Sequence, residues 1–472
     1  MIKADFFSKG KKILVVGAGR SGLAALRLLA AQGCDLALSD GGPLARLSQD
    51  DQQWLEAQQV QLEFGGHDRK SFLGAHCIVV SPGVPLGLAP LAAAREKGIP
   101  VIGELELGSL FTDVEIIAIT GTNGKTTVTT LIGDLLKAAG REVFVGGNIG
   151  TPLSAFVVSG QKADVLVLEV SSFQLDSAPS FRPHIALLLN ISPDHLDRYG
   201  SYGEYAAAKM QIFRCQGPDD FAVVKADDPQ IAARLTPIAS QVMGFGRAIG
   251  SLARLDKGRA MIALPQQGEE IYPLPKALKN YPQSDNCLAA ILAVRLLGCS
   301  PQAVARGLDS FRPLEHRLTP VATIKGVAYV DDSKATNIGA LQSALAGMTQ
   351  PVHLLAGGRD KGGDYGLIAG DIKAKVKSLI LMGEAADVMA AAYGDFVEIK
   401  RARTMAEAVA MAAQAAQPGE VVLLSPACAS FDMFSSYEER GKAFQQAVAM
   451  VARDAAGSGQ GRQETRVQTS CG

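Results

Sequence analysis

Apolar residues fall in short, dense runs along this chain, and each run ends abruptly in small or polar residues. "KILVV" gives way to "GAGRSG" and then to "LAALRLLAAQG", whose apolar positions recur at helical spacing. "DLALS", "CIVVSPGV" and "IPVIGE" repeat the short-run pattern. Continuous apolar runs of this length predict buried strands, and alternation with amphipathic helices predicts parallel sheets. A second block opens with "EIIAIT", a glycine-containing loop and the helical "TTVTTLIGDLLKAAG", followed by the strands "DVLVLEV" and "IALLLNI". A third carries "GVAYVDD", "PVHLLAGG", "SLILMG" and "EVVLLSP", with alanine-rich helices between them. The reading is three α/β blocks, 1–107, 108–312 and 313–454, with Rossmann-like sheets at both ends. The polar stretch 455–472 reads as a disordered tail. A chain of 472 residues has room for about three domains.

Composition narrows the options without naming one. With 46 basic and 47 acidic residues, the chain shows no general affinity for nucleic acid or membrane. Seven scattered cysteines with no C-x-x-C predict neither a disulfide framework nor a cysteine zinc site, as in a reducing cytosol. No secretory leader and no 18-residue apolar run is evident. The expectation is a cytoplasmic monomer acting on small molecules.

Chemistry concentrates where strands end. "GTNGKTT", residues 121–127, follows "EIIAIT" and opens a helix. Gly121, Thr122, Asn123, Gly124, Lys125, Thr126 and Thr127 therefore suit a phosphate cradle: small residues expose N–H groups, Lys125 reaches terminal phosphates, and the Thr126 hydroxyl can ligate Mg²⁺. Ile119 stands where the common pattern has its first glycine, which marks a distinct subclass of loop. Glu169 ends one strand, and Asp194, His195 and Asp197 follow another, so ligand chemistry is expected around them too. Lys209, inside the helical "YGEYAAAKM", reads by itself as a solvated helix lysine. Gly17, Gly19 and Gly22, with Asp40 18 residues on, match a dinucleotide fingerprint that taken alone indicates some nucleotide ligand. "YVDDSKATN", "AGGRDKGGD" and "LLSPACASFDMF" place three more polar clusters at strand ends, which suggests one anion-binding cleft.

Taken in chain order, "GTNGKTT", "LEVSSFQL", "NISPDHLDRYGS", "YAAAKMQIF", "HRL", "DDSKATN", "GGRDKGGD" and "LSPACASFDMF" resemble the Mur ligase family over nearly the whole chain. "DDSKATN" with "SPACASFD" resembles its D-glutamate-adding branch, and the D-N-P-R of the diaminopimelate- or lysine-adding members is absent. The resemblance implies ATP-dependent ligation of D-glutamate to UDP-N-acetylmuramoyl-L-alanine. It implies that Gly19, Arg20, Ser21, Asp40, Ser81 and Gly83 line the UDP site, and that Asn148 and His195 meet the muramoyl-alanine end. It implies two Mg²⁺ ions, one on Thr126 and Glu169, the other on His195 and a Lys209 carbamylated by CO₂. Asn286, Arg317 and Asp332 would contact adenine, a phosphate and ribose of ATP. Lys334, Thr336, Lys361, Ser430 and Tyr437 would surround D-glutamate. Thr336, Lys361 and Ser430 suit carboxylates on physical grounds as well. Two departures stand out: "PQSDN" replaces the family's H-N-x-x-N, keeping only Asn286, and "DGG" at 40–42 lacks a Thr-Arg pair found in some relatives. A folylpolyglutamate synthetase would lack the "GAGRSG" block, a dehydrogenase would leave the other motifs idle, and a GTPase switch would carry N-K-x-D.

Overall fold

The computed structural model describes residues 2–195, 198–235, 238–265 and 268–460, without the side chains of 456–460. The first sheet is fully parallel, in the order Gln61–Phe64, Asp35–Asp40, Lys12–Val16, Cys77–Val80, Val101–Gly103. Alternate residues of one strand point to opposite faces, so Ile13 and Val15 join Leu26, Leu29 and Leu38 in one core. Leu14 and Val16 join Ile78, Val80 and Leu91 in the other. Fully burying one such side chain stabilises by roughly 1.5–3 kcal/mol. The helix Arg20–Ala31 follows the first strand, and Gly22 lets it start close in: a Cβ there would strike the Gly17 carbonyl oxygen.

The second sheet has nine strands, in the order Gly268–Pro273, Arg259–Leu264, Ala253–Asp256, Gln241–Phe245, Phe221–Lys225, Ile185–Leu188, Glu115–Thr120, Val165–Glu169, Val143–Gly147. It is parallel except at one edge, where Ala253–Asp256, Arg259–Leu264 and Gly268–Pro273 form an antiparallel meander. The short helix Glu104–Ser109 ties the first two sheets together: Glu104 accepts from the Ser154 N–H at 2.7 Å, and Glu106 from the Ser180 N–H at 3.0 Å. Burial pushes both carboxyls above the usual carboxylate range.

The third sheet has six strands: Thr319–Ile324, Val327–Asp331, Val421–Leu424, Val352–Gly357, Val376–Met382, Glu398–Arg401. Its first pair is antiparallel and the rest are parallel. Leu354, Leu379 and Leu423 fill one face, and Leu355, Ile380 and Leu424 the other. The three sheets match the expected α/β fold class, with the two antiparallel edges added.

By packing, the residues form two compact units. The first comprises residues 1–191, 203–275 and 285–311; the second takes residues 192–202, 276–284 and everything from 312 onward. The last helix is Tyr437–Gln460 and so extends six residues past 454. Residues 461–472, including Cys471, lie outside the described residues, as does Asp197. None of the six described cysteines forms a disulfide. Among the described residues, no helix is long and apolar enough to cross a membrane.

Candidate functional site

In the first unit, the buried strand Glu115–Thr120 runs into a loop whose backbone only glycine adopts easily. Gly121 has φ +151° and Gly124 φ +88°, and Gly124 caps the helix Lys125–Ala138. A Cβ on Gly124 would come within 2.5 Å of Asn286 Oδ1, so the loop and Asn286 lie side by side. That contact keeps Asn286 at the glycine loop although the residues ahead of it differ from the expected H-N-x-x-N. Asp285 beside it pairs with Lys225 at 2.6 Å.

The loop is held by a residue the sequence reading did not select. Asn190 accepts from the Asn123 N–H at 2.8 Å and donates to the Asn123 carbonyl at 2.9 Å. Its own carbonyl accepts from the Thr122 N–H at 3.0 Å. The available signal was a lone amide ending an otherwise apolar strand.

Two ammonium groups converge on this loop. Lys125 Nζ donates to the carbonyls of Gly121 and Thr122, both at 2.9 Å. Lys209 Nζ donates to the same Gly121 carbonyl at 2.9 Å and lies 4.6 Å from the Tyr205 ring centroid. Lys209 is only 2% exposed, which overturns its reading as a solvated helix lysine. Spacing along the helix could not reveal this, because a loop far back in the chain supplies the carbonyl.

Glu169 ends the strand paired beside Glu115–Thr120 and is 2% exposed. Its Oε1 accepts from Asn148 Nδ2 at 2.8 Å, while its Oε2 is buried without a hydrogen-bond partner among the described residues. A buried carboxylate oxygen left unpaired is costly unless a cation or donor meets it. Together with the half-buried Thr126 at the helix start, it fits a Mg²⁺ ion, which takes oxygen ligands. Among the described residues, no three His, Cys, Asp or Glu side chains cluster as a metal cage. An ion here would therefore draw on few protein ligands plus phosphate, as Mg²⁺ commonly does.

The first sheet carries a cavity of about 500 Å³ at the ends of its strands. All seven first-unit residues expected at the UDP-substrate end line it: Gly19, Arg20, Ser21, Asp40, Ser81, Gly83 and Asn148. Asp40 also braces the glycine turn, accepting from the N–H groups of Ala18 and Gly42, both at 2.7 Å. Ser81 Oγ donates to the Gly17 carbonyl at 2.9 Å.

The second unit gathers the third sheet's strand ends with residues 192–202. His195 therefore belongs with this unit, while Lys209 belongs with the first. Asp194, His195, Asn337, Asp360, Lys361 and Tyr365 line one polar pocket. Asp194 accepts from Asn337 Nδ2 at 2.9 Å and pairs with Lys361 Nζ at 3.6 Å. His195 holds φ +56°, its N–H bonded to Asp194 Oδ1 at 2.9 Å. Lys334 Nζ sits 3.5 Å from the Tyr437 ring centroid. Ser430 is buried, and Thr336 is half-buried on the same loop as Lys334. Arg440, also missed, donates to Ser333 Oγ, the Ser333 carbonyl and the Cys428 carbonyl at 2.8–3.1 Å, knitting "DDSK" to "SPACAS". Burial pushes the Cys428 thiol up to about 11, so it is no thiolate nucleophile at neutral pH.

Asp332 is buried, accepting from Ser425 Oγ at 2.9 Å and the Leu318 N–H at 3.2 Å. Burial raises its pKa from 3.8 to about 7, with Ser425 and Arg317 pulling the other way. Between about pH 4 and 7, the folded state thus holds a proton that the unfolded chain has released, and stability falls as pH rises through that window. Chemical denaturation at pH 5 and pH 8 should show Asp332→Asn losing less stability between the two than the parent. Parallel losses would place the pH dependence elsewhere.

Residues 11–103 match the Mur ligase MurD-like, N-terminal domain, residues 119–294 the Mur ligase middle domain, and residues 316–428 the Mur ligase, glutamate ligase domain. A UDP-N-acetylmuramoylalanine–D-glutamate ligase from Geotalea daltonii is 44% identical over 446 residues, covering 94% of this chain and 98% of that protein. One of the same name from Desulfotalea psychrophila is 46% identical over 444 residues, covering 92% and 95%. The structure of a MurF ligase from Thermotoga maritima in complex with ADP aligns with TM-score 0.61 at 16% identity, covering 96% of this chain and 98% of that one. A pseudomurein peptide ligase type C from Methanothermus fervidus aligns with TM-score 0.59 at 18% identity, covering 94% and 100%. At these identities the two structures speak for the fold alone.

Proposed function

The chain belongs to the Mur ligase family, and from that premise we propose that it joins D-glutamate to UDP-N-acetylmuramoyl-L-alanine, driven by ATP, in peptidoglycan precursor synthesis. The observation that carries the reading is the meeting of Lys125 and Lys209 on one carbonyl oxygen at the phosphate loop. A triphosphate held by this loop would bring negative charge to both side chains, and a carbamate on the buried one would offer oxygen to a cation.

The terminal phosphoryl group of ATP passes to the alanyl carboxylate, giving an acyl phosphate and ADP. The amine of D-glutamate then attacks the acyl carbon, a tetrahedral intermediate forms, and phosphate leaves. Loop N–H groups and the N-terminus of helix Lys125–Ala138 hold the phosphates, and Lys125 offsets charge as it moves toward the leaving oxygen. Asn190 keeps the cradle in shape beforehand. Lys361, Thr336 and Ser430 orient the carboxylates of D-glutamate, with Asp194 and Asn337 steadying the Lys361 ammonium. The protein positions and neutralises, as phosphoryl transfer requires, and needs no covalent nucleophile.

Magnesium, when bound, would neutralise phosphate charge and align the reacting oxygens. Thr126 and Glu169 would hold one ion; His195 and carbamylated Lys209 would hold a second. In the carbamylation, the neutral Lys209 amine adds to the carbon of CO₂ and releases a proton, turning a cation into a carboxylate-like ligand. Asn286, Arg317 and Asp332 are assigned to the adenine, phosphate and ribose of ATP. Lys334 and Tyr437 are assigned to the D-glutamate site. We further propose that the enzyme acts as a cytoplasmic monomer.

The amino-acid dependence of phosphate release tests the assignment. Release should require ATP, UDP-N-acetylmuramoyl-L-alanine and D-glutamate together, and L-glutamate should not substitute. Turnover with lysine in place of D-glutamate would sink the substrate assignment.

A further inference from the structure

We propose that His67 is a specificity-determining residue that reads the pyrimidine of the UDP substrate by donating a hydrogen bond from Nε2 to a base carbonyl. This rests on the assignment of the first-sheet cavity to the UDP moiety.

Along this sheet, the strand Lys12–Val16 carries the glycine turn, its neighbour Asp35–Asp40 carries the acid, and the outermost strand Gln61–Phe64 leads to His67. Asp40 and Phe64 are register partners, so His67 follows three residues after the position level with the acid. In sheets of this kind, phosphates sit at the glycine turn and ribose beside the acid of the next strand. Continuing outward in the same direction places the base at the His67 end. His67 and Gly41 both line the cavity, and a Cβ on Gly41 would stand 3.5 Å from His67 Nε2. The Nε2 atom therefore lies at the cavity wall, beside a residue too small to cover it.

What Nε2 offers is tied to the bond made by the other ring nitrogen. Nδ1 lies 2.7 Å from the hydroxyl of Ser39, a fully buried residue. The Ser39 hydroxyl lies between Nδ1, at 2.7 Å, and the Gly66 carbonyl, at 3.5 Å. We assign the hydroxyl hydrogen to Nδ1, which puts the ring hydrogen on Nε2; the opposite tautomer, with Nδ1–H donating to Ser39, would make Nε2 an acceptor and turn the preference toward CDP. Nε2 has no partner among the described residues. The ring is also steadied edge-on against the fully buried Phe72, with centroids 5.9 Å apart. A fixed N–H donor suits uracil, which presents a carbonyl where cytosine presents an amine. A donor facing that amine would be left unpaired, and such mismatches discriminate strongly. The placement also accounts for "DGG": with glycines at 41 and 42, this chain has no side chain on that turn to touch the base.

The experiment uses the full chain and two ligands, UDP and CDP, measured by titration calorimetry. The parent should prefer UDP by tenfold or more. His67→Ala should bring the two to near parity and raise KM for UDP-N-acetylmuramoyl-L-alanine, leaving KM for ATP unchanged. His67→Gln, which keeps a donor and covers the chance that the alanine variant folds poorly, should recover part of the UDP preference. Undiminished preference in His67→Ala, or in His67→Gln no recovery over a folded His67→Ala, would overturn the role of His67. Equal binding of UDP and CDP by the parent would also overturn it, with the ligase reading intact if phosphate release still depends on D-glutamate. A parent that binds neither nucleotide would remove the UDP assignment and this proposal with it.

Discussion

Replacing Lys125 with alanine should abolish ATP-dependent phosphate release, lowering the rate by roughly 10²–10³-fold or more, the usual cost of losing a charge-stabilising group. Lys125 is the first residue of a 14-residue helix, and its ammonium folds back onto the carbonyls of Gly121 and Thr122. In the proposed reaction this ammonium turns to the terminal phosphates. Alanine is the best helix former, so the variant should fold and melt much like the parent. The loss should fall on kcat as well as on the KM for ATP, because the charge is needed most while the phosphoryl group moves. Arginine should restore little, since its planar fork cannot reproduce a compact ammonium. A variant with the parental rate would detach this loop from the phosphates.

The second large effect is expected at Lys209. Lys209→Ala should lose nearly all activity and regain part of it when short carboxylic acids such as acetate or propionate are added. The substitution empties a buried position 2.9 Å from the Gly121 carbonyl, and a small carboxylate could enter and offer the oxygens a carbamate would have supplied. Lys209→Arg, which keeps positive charge and cannot be carbamylated in the same way, should stay inactive and show no such recovery. In the parent, carbon-13 bicarbonate should give a carbamate resonance that disappears in both variants. Full activity without that resonance would show Lys209 acting as the ammonium itself.

These residues mark where the sequence was legible. "EIIAIT", "DVLVLEV" and "PVHLLAGG" are buried on both faces, so their apolar runs are continuous and easily read. The loop after the first of them is equally clear, because its glycines and lysine are adjacent in sequence. The edge meander was not legible. Gly268–Pro273 alternates exposed and covered positions and carries Glu269 and Glu270, so no apolar run announces it. The site residues that escaped are those acting through partners far along the chain: Asn190 on Asn123, Arg440 on Ser333 and Cys428, Ser39 on His67. The burial of Lys209 escaped for the same reason. A resemblance could name its role, but only the fold brings it to Gly121.

The division into two packed units has a bearing on synthesis. The chain alternates between them in six segments, 1–191, 192–202, 203–275, 276–284, 285–311 and 312 onward, and so passes across five times. A fragment beginning at Arg312 would lack Asp194 and His195, and its pocket would miss the carboxylate that steadies Lys361. Gene splitting at the 311/312 junction should therefore give a C-terminal half unable to complete its own pocket. On the ribosome, residues 192–202 emerge more than a hundred residues before Asn337 and Lys361, and Asp194 must wait for both. The second unit can close only late in translation, so its correct assembly falls to the complete polypeptide and not to a domain folding as it emerges.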